Sequence, residues 1–513
     1  MRPKDIRDIH IDGNGLSLEE LVAVARFNAK VSIRPEAIKA MAKSRQTVVD
    51  ILEKEKPVYG INTGFGALSQ VGVSKAQAGE LQNNLILSHA VGCGDPLPTE
   101  TVRAMLLLRA NALCKGHSGI RPEIVETLVN MLNSGVHPVI PEKGSLGASG
   151  DLAPLSHMAL VLLGLGEAEY KGEILPGKVA MERVGLDTFS LQGKEGLALI
   201  NGTQCMAAIG ALALYDCKNL CIMADVISSL SVEALQGQLS AFDERVHELR
   251  PHRGQKTVAQ NLRLLLDKSA NMDDCQGLRV QDAYALRCIP QVHGAVRQAV
   301  WHTEEILNTE FNSVTDNPLI FADDGDVISG GNFHGEPLAL CLDYLGIAAA
   351  ELANISERRL ERMVNPKLSN GLPPFLVEDS GVNSGLMIVQ YAAASMVSDN
   401  KVLAHPDSVD SIPSSANQED HVSMGTNAAR HLRMIVENTF NVLALELFAA
   451  CQAAELRHCH MSPVNTAVFN IVRERIAFIE HDRELRCDVI AAQKLIREET
   501  ILDSVLNICP KII

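Results

Sequence analysis

The chain predicts an all-α fold, a long central helical bundle with an N-terminal loop-rich region, and three observations carry that expectation. Aromatic residues are only 4% of the 513 residues, while Ala, Leu and Glu are plentiful, a bias toward helix and away from sheet. Four segments, 282–309, 336–363, 384–403 and 425–456, run long with few helix breakers, the pattern of bundled helices. Two shorter ones, 155–165 and 205–214, are almost wholly apolar, which suits the centre of a large bundle.

The elements begin with Ser17-Leu-Glu-Glu, a capping-box pattern that opens helices across 17–55. Val58-Tyr59-Gly60-Ile61-Asn62-Thr63-Gly64-Phe65-Gly66 then breaks the helical period with three glycines in seven residues, so a mobile, irregular loop is expected. Helix resumes over 76–89, and 99–114 reads as an amphipathic helix with Met105, Leu106, Leu107 and Leu108 among arginines. Pro138 and Pro141 lead into a glycine-rich stretch at 144–155. Strand alternation is scarce: Glu173-Ile-Leu-Pro, Phe189 and 319–328 predict short hairpins at most. The length allows two to four domains. Three parts are expected, an N-terminal region over 1–200, central long helices over 201–360 and a C-terminal helical region over 361–513, with no fixed-period repeat.

A hydrophobic fraction of 46% with 21% charged residues describes an ordinary globular protein. The net charge of −16 argues against a nucleic-acid or anionic-membrane partner, which an acidic surface repels. The first residues carry no apolar signal segment. The longest charge-free run, 196–215, is interrupted by Asn201, Gly202, Thr203 and Gln204, too polar for a membrane span. A cytoplasmic location is therefore expected. The twelve cysteines include no Cys-x-x-Cys pair, so they read as buried small hydrophobes. His458-Cys459-His460 lies near Cys451, but adjacent residues on a helix point different ways. Metalloprotease, phosphate-loop and dinucleotide motifs are absent, and neither metal nor nucleotide is expected.

The chemistry centres on Gly144-Ser-Leu-Gly-Ala-Ser-Gly-Asp-Leu-Ala-Pro-Leu155. By itself the stretch reads as a glycine-rich turn before a helix, with Asp151 at its start and Pro154 in its first turns. A sharper reading follows from three small residues, Ala148, Ser149 and Gly150. A tight turn there would press the Gly150 amide nitrogen onto the Ala148 carbonyl carbon and close a five-membered ring, with no side chain on glycine to block it. Loss of the Ser149 hydroxyl as water would then leave a 4-methylidene-imidazol-5-one, an electrophile that no ordinary side chain supplies. The full string through Ser156-His157 resembles the signature of the aromatic amino acid ammonia-lyases and aminomutases. That resemblance extends over about residues 55–456, in at least seven strings in family order.

Around this turn each candidate has an ordinary reading beside a functional one. Tyr59 is a loop tyrosine in water, or a general base carried on a lid. As a base it needs its pKa brought down from about 10 by nearby positive charge or donors; Tyr-Gly-Ile-Asn-Thr-Gly-Phe-Gly resembles the family's inner lid loop, whose tyrosine is the base. His89 in Ser88-His89-Ala90 reads as a core histidine; the resemblance implies that it lines the pocket for the substrate ring, and Ser-His-Ala is similar to the histidine-specific branch. Asn201, a polar residue entering an apolar helix, needs a partner, which in the family is the prosthetic group or the substrate. Gln281-Asp-Ala-Tyr284-Ala-Leu-Arg287 sets Tyr284 and Arg287 three apart on one helical face; a lone arginine would be a surface ion pair, whereas the resemblance implies carboxylate binding. His293 departs from the methionine expected there.

Thr315-Asp-Asn-Pro and Gly331-Asn-Phe333-His-Gly read as turns, and the resemblance puts Phe333 against the substrate or the methylidene. Ser415-Ala-Asn-Gln-Glu419-Asp-His421 reads as an acidic helix N-terminus; in the histidine-specific branch its Gln-Glu pair grips the imidazole. Met387 supports that branch, since phenylalanine-specific members carry lysine there. The resemblance thus implies elimination of ammonia from L-histidine to trans-urocanate. Tyr59, Ala148, Ser149, Gly150, Asn201 and Tyr284 would be catalytic, and His89, Gln281, Arg287, Phe333, Met387 and Glu419 would bind substrate. It also implies a homotetramer with active sites shared between chains. The alternative is a tyrosine or phenylalanine ammonia-lyase or 2,3-aminomutase of the same family, against which only His89-Ala90, Met387 and Glu419 speak.

Overall fold

Helix dominates the computed structural model, which describes residues 2–54 and 57–512. Met1 and Ile513 lie outside the described residues, as does residue 55, the last of the helical stretch expected from Ser17. Twenty α-helices, six short 3-10 helices and nine strands of three or four residues make up the described elements. The chain divides into two compact units: Met1–Tyr215 with Thr303–Asp343 and Pro406–Arg430, and Asp216–His302 with Tyr344–His405 and His431–Ile513.

In the first unit the Ser17 capping box forms: the Ser17 hydroxyl accepts from the Glu20 N–H, and the Glu20 carboxylate accepts from the Ser17 N–H. It opens the Leu18–Phe27 helix, which packs on the Thr99–Cys114 helix, and that in turn packs on Pro122–Ser134. Thr99–Cys114 is not amphipathic in place; every residue from Thr101 to Cys114 is buried. Its arginines are tolerated there because Arg103 and Arg109 donate to backbone carbonyls. The two expected hairpins form, Glu167–Tyr170 with Glu173–Pro176 and Leu319–Phe321 with Asp326–Ile328. Phe189 lies in no strand, and a parallel pair, Asp8–Ile11 with Lys30–Ile33, was not foreseen because four-residue strands carry too little alternation.

The helix expected over 282–309 is split into Tyr284–Arg287 and Ile289–Phe311. Pro290 cannot donate a backbone hydrogen bond and disfavours helical conformation just before it. Three helices, Gln204–Ala234, Glu336–Val364 and Gly425–Leu456, are apolar and long enough to cross a membrane, but 83%, 61% and 78% of their apolar windows are buried inside the chain. Within the second unit a polar network threads the apolar core. Glu446 takes a two-pronged bond from Arg359 at 2.6 and 2.8 Å and accepts from Ser231 at 2.7 Å and Ser356 at 2.5 Å. His293, the departure from methionine, donates from Nδ1 to Asp225 at 2.8 Å, which Arg297 and Asn261 also bind.

Removing one partner of a fully buried ion pair strands the other charge, at about 3–5 kcal/mol. Glu446→Ala should therefore sharply lower the unfolding midpoint, whereas Arg359→Met with Glu446→Leu should recover most of it. Equal midpoints for the single and double variants would overturn this account.

Candidate active site

Asp151 organises the glycine-rich stretch. Its fully buried carboxylate accepts from the Ser145 hydroxyl at 2.9 Å, the backbone N–H groups of Cys205 and Met206 at 2.8 and 3.0 Å, and the Thr426 hydroxyl. Burial pushes this carboxyl above the usual range, and those donors pull it back. The same bonds cap the N-terminus of the Gln204–Ala234 helix. The Asp151 N–H donates to the Gly202 carbonyl at 2.7 Å, and Gly150 pairs with Gly202 in a parallel bridge. A Cβ on Gly150 would sit 2.2 Å from the Gly202 oxygen, and its φ is +72°. Only glycine fits there.

The residues between are held from both sides. Asn201 Nδ2 donates to the Ser149 carbonyl at 3.0 Å, while Asn201 Oδ1 is buried without a hydrogen-bond partner. The Ser149 hydroxyl donates to Glu419 Oε1 at 3.0 Å. Ala148 is buried against Val422 and Met424. These residues open onto a cavity of about 1180 Å³ lined by Tyr59, His89, Ala148, Ser149, Asn201, Phe333 and Glu419. Seven of the twelve residues singled out from the sequence thus share one wall space, and Gly150 lies just behind them.

Tyr59 is half-buried in a loop closed by the Gly64 N–H to Val71 and the Val73 N–H to Asn62. Its hydroxyl accepts from the Gly66 N–H at 3.4 Å. Burial raises its pKa above the ordinary value, the Gly66 N–H opposes this, and Glu419 and Asp316 raise it further. A base needs the reverse, so the charges acting on Tyr59 within this unit are of the wrong sign. His89 ends the Ala78–His89 helix with Nδ1 3.0 Å from the Ser88 hydroxyl. Burial is the main cause of its lowered pKa.

Gln281, Tyr284, Arg287 and Met387 belong to the second unit and do not line this cavity. Tyr284 is 71% exposed, and the Arg287 guanidinium lies 4.5 Å from its ring centre, so the three-residue spacing does bring the two together. Gln281 is exposed, and Met387 begins the Met387–Leu403 helix half-buried.

Two histidines that line the cavity, His334 and His421, were not candidates from the sequence, although they lie in the Gly331–Gly335 and Ser415–His421 strings. Their signal is pairing, which no single position carries. The Glu336 N–H donates to His334 Nδ1 at 3.3 Å. The neutral ring therefore holds its proton on Nε2, which faces His421 Nδ1 at 3.3 Å. With Glu336 they are a trio able to hold a cation among the described residues. A metal on His334 Nε2 would force the ring proton onto Nδ1, against the Glu336 N–H, so the geometry is that of a hydrogen-bonded imidazole pair. The Cys459 thiol turns to the Glu233 carbonyl at 3.7 Å.

Comparison with known proteins agrees with this geometry. A family model described as aromatic amino acid lyase matches residues 16–474. A histidine ammonia-lyase of Alkaliphilus metalliredigens is 56% identical over 98% of this chain and 99% of its own. The crystal structure of histidine ammonia-lyase from Trypanosoma cruzi superposes with a TM-score of 0.91 at 42% identity, covering 98% of this chain and 96% of that one. Tyrosine aminomutase from Streptomyces globisporus gives 0.93 at 36% identity, with 98% of each chain covered.

His89 yields a pH prediction. Its folded pKa lies below the ordinary value of about 6.5, so the unfolded chain binds more protons as pH falls through that value, and stability is lost there. The wild-type melting midpoint should drop more between about pH 7 and pH 5 than that of His89→Gln. Equal drops would mean that His89 does not titrate against folding.

Proposed function

Because this chain belongs to the aromatic amino acid lyase family, we propose that it eliminates ammonia from L-histidine to give trans-urocanate. The observation that carries the substrate choice is Glu419, a carboxylate 3.0 Å from the Ser149 hydroxyl in a cavity that His89 also lines. A carboxylate accepts the N–H of an imidazole ring, a proton that phenyl and phenol rings do not offer at that place.

We further propose that Ala148, Ser149 and Gly150 close into the methylidene-imidazolone. In closure the Gly150 nitrogen bonds to the Ala148 carbonyl carbon, and the Ala148 oxygen leaves as water with the amide protons of Ser149 and Gly150. The Ser149 Cα proton and hydroxyl leave as a second water. No oxidant is needed. The absence of a side chain on Gly150, which is pressed against Gly202, the Asn201 amide on the Ser149 carbonyl and the partnerless Asn201 Oδ1 all fit this group. Once formed it supplies an electrophile that makes the substrate amine a leaving group.

The chain's own side chains do the rest. Glu419 and His89 hold the imidazole, Phe333 packs on the substrate, and Asn201 Oδ1 offers an acceptor to an N–H. Arg287 grips the α-carboxylate with its planar fork, and Gln281, Tyr284 and Met387 complete the pocket. Tyr59 takes a proton from the β-carbon. Burial and two carboxylates hold the Tyr59 phenol up, so it works as a base only when a cation arrives, and Arg287 is the cation proposed. Those four residues come from neighbouring copies, in a homotetramer whose sites are shared between chains. The exposed Tyr284 and its neighbours Leu278 and Val280, 57% and 104% exposed, support this. Twelve unpaired cysteines and the burial of the long apolar helices suit a cytoplasmic enzyme.

Intact mass and a substrate screen test the reading together. The purified chain should weigh about 36 Da less than its sequence, two waters lost, and should convert histidine to urocanate while leaving tyrosine and phenylalanine untouched. Turnover of tyrosine instead would show that Glu419 does not set the substrate. A full-mass chain without activity would sink the chemistry.

Site sharing has its own test. Tyr59→Phe and Arg287→Gln should each be nearly inactive alone, and co-expression of the two should restore activity, because mixed tetramers contain sites with both residues intact. No recovery in verified mixed tetramers would place Tyr59 and Arg287 of each site on one chain.

A further inference from the structure

Arg109 is fully buried on the Thr99–Cys114 helix, and no carboxylate is bonded to it. Nη1 donates to the Asn201 carbonyl and to Gln204 Oε1, each at 3.0 Å, and Nη2 donates to the Ala198 carbonyl. Nε is buried without a partner. The nearby carboxylate, Asp316, is already bound at 2.7 Å by the buried Lys194. A buried cation held only by neutral oxygens is expensive, and an apolar side chain would fill the space at less cost. Stability alone does not explain this placement.

Its bonds explain it better. Ala198 and Asn201 flank the end of the short Glu195–Ile200 helix, where carbonyls lack helical partners and attract a cation. The next residue, Gly202, is pressed against the guanidinium; a Cβ there would stand 2.4 Å from Arg109 Nη1. Asn201 and Gly202 hold one side of the tripeptide backbone, through the Ser149 carbonyl, the Gly150 bridge and the adjoining Asp151 N–H. Gln204 extends the clamp to the Thr315 hydroxyl at 2.8 Å.

We propose that Arg109 is a positioning residue for prosthetic-group formation: by clamping the carbonyls of Ala198 and Asn201 it holds the Asn201–Gly202 platform on which the 148–150 backbone closes. The inference rests on the ring closure proposed above. The clamp acts on closure because a small misplacement of two reacting atoms slows an intramolecular step steeply.

The test compares Arg109→Lys and Gln204→Met with Arg103→Lys, a control on the same helix. Arg103 is also buried and carbonyl-bound, to Val24 and Leu132, but it lies away from the platform. Mass spectra of freshly synthesised full-length enzyme, followed over time, give the rate of loss of about 36 Da. Melting midpoints report stability separately. Arg109→Lys should mature on the order of tenfold more slowly than wild type, Gln204→Met should be slowed less, and Arg103→Lys should mature at the wild-type rate even where its midpoint drops as far. The matured fraction of Arg109→Lys should also lose kcat more than it raises KM.

Wild-type maturation in both Arg109→Lys and Gln204→Met would overturn the inference, as would equal slowing in Arg103→Lys. If Arg109→Lys is insoluble, Gln204→Met decides by itself. A wild-type chain that never loses the two waters would instead overturn the ring-closure reading, and this inference with it.

Discussion

One fully buried carboxylate, that of Asp151, ties three stretches of chain together. It accepts from Ser145 before the tripeptide, from the first turn of the Gln204–Ala234 helix, and from Thr426 at the start of the Gly425–Leu456 helix. Without it the Cys205 and Met206 N–H groups would lose their acceptor, at about 1–3 kcal/mol apiece. The bonds oblige the glycine-rich turn, the Asn201–Gly202 segment and the loop bearing Glu419 to meet at one place. The cavity is what their meeting leaves open.

Buried charge in each unit has a directional partner. In the unit that holds this junction Arg109 faces carbonyls and Lys194 faces Asp316, and in the other unit Arg359 faces Glu446, each fully buried. Such groups specify one arrangement of backbone, because any other leaves a charge stranded. The glycines supply the complementary freedom. Gly150 and Gly202 lie where a single added carbon would collide with backbone or with the Arg109 guanidinium.

Tyr59 shows how the site depends on its surroundings. Its desolvation and the carboxylates of Glu419 and Asp316 all favour the protonated phenol, the opposite of what a base requires. Arg287, the cation proposed to reverse this, is not part of the cavity lining.

Much of this was legible in the residues themselves. Local rules suffice for the Ser17 capping box and the long 425–456 helix, since each depends on neighbours within a few positions, whereas the need for glycine at 150 comes from Gly202, far along the chain. The pocket motifs at 59, 89, 148–149, 201, 333 and 419 are legible because each string is distinctive, and the structure brings them to one cavity, with Gly150 next in the chain. What only the tertiary structure decided concerns partners far apart in sequence. Nothing local tells that Arg109 points at Asn201, 92 residues on, that His334 meets His421, or that His293 replaces an apolar side chain by pairing with Asp225, 68 residues away. The fate of a buried polar group depends on which acceptor folding brings to it, and that is a property of packing, invisible to periodicity and composition.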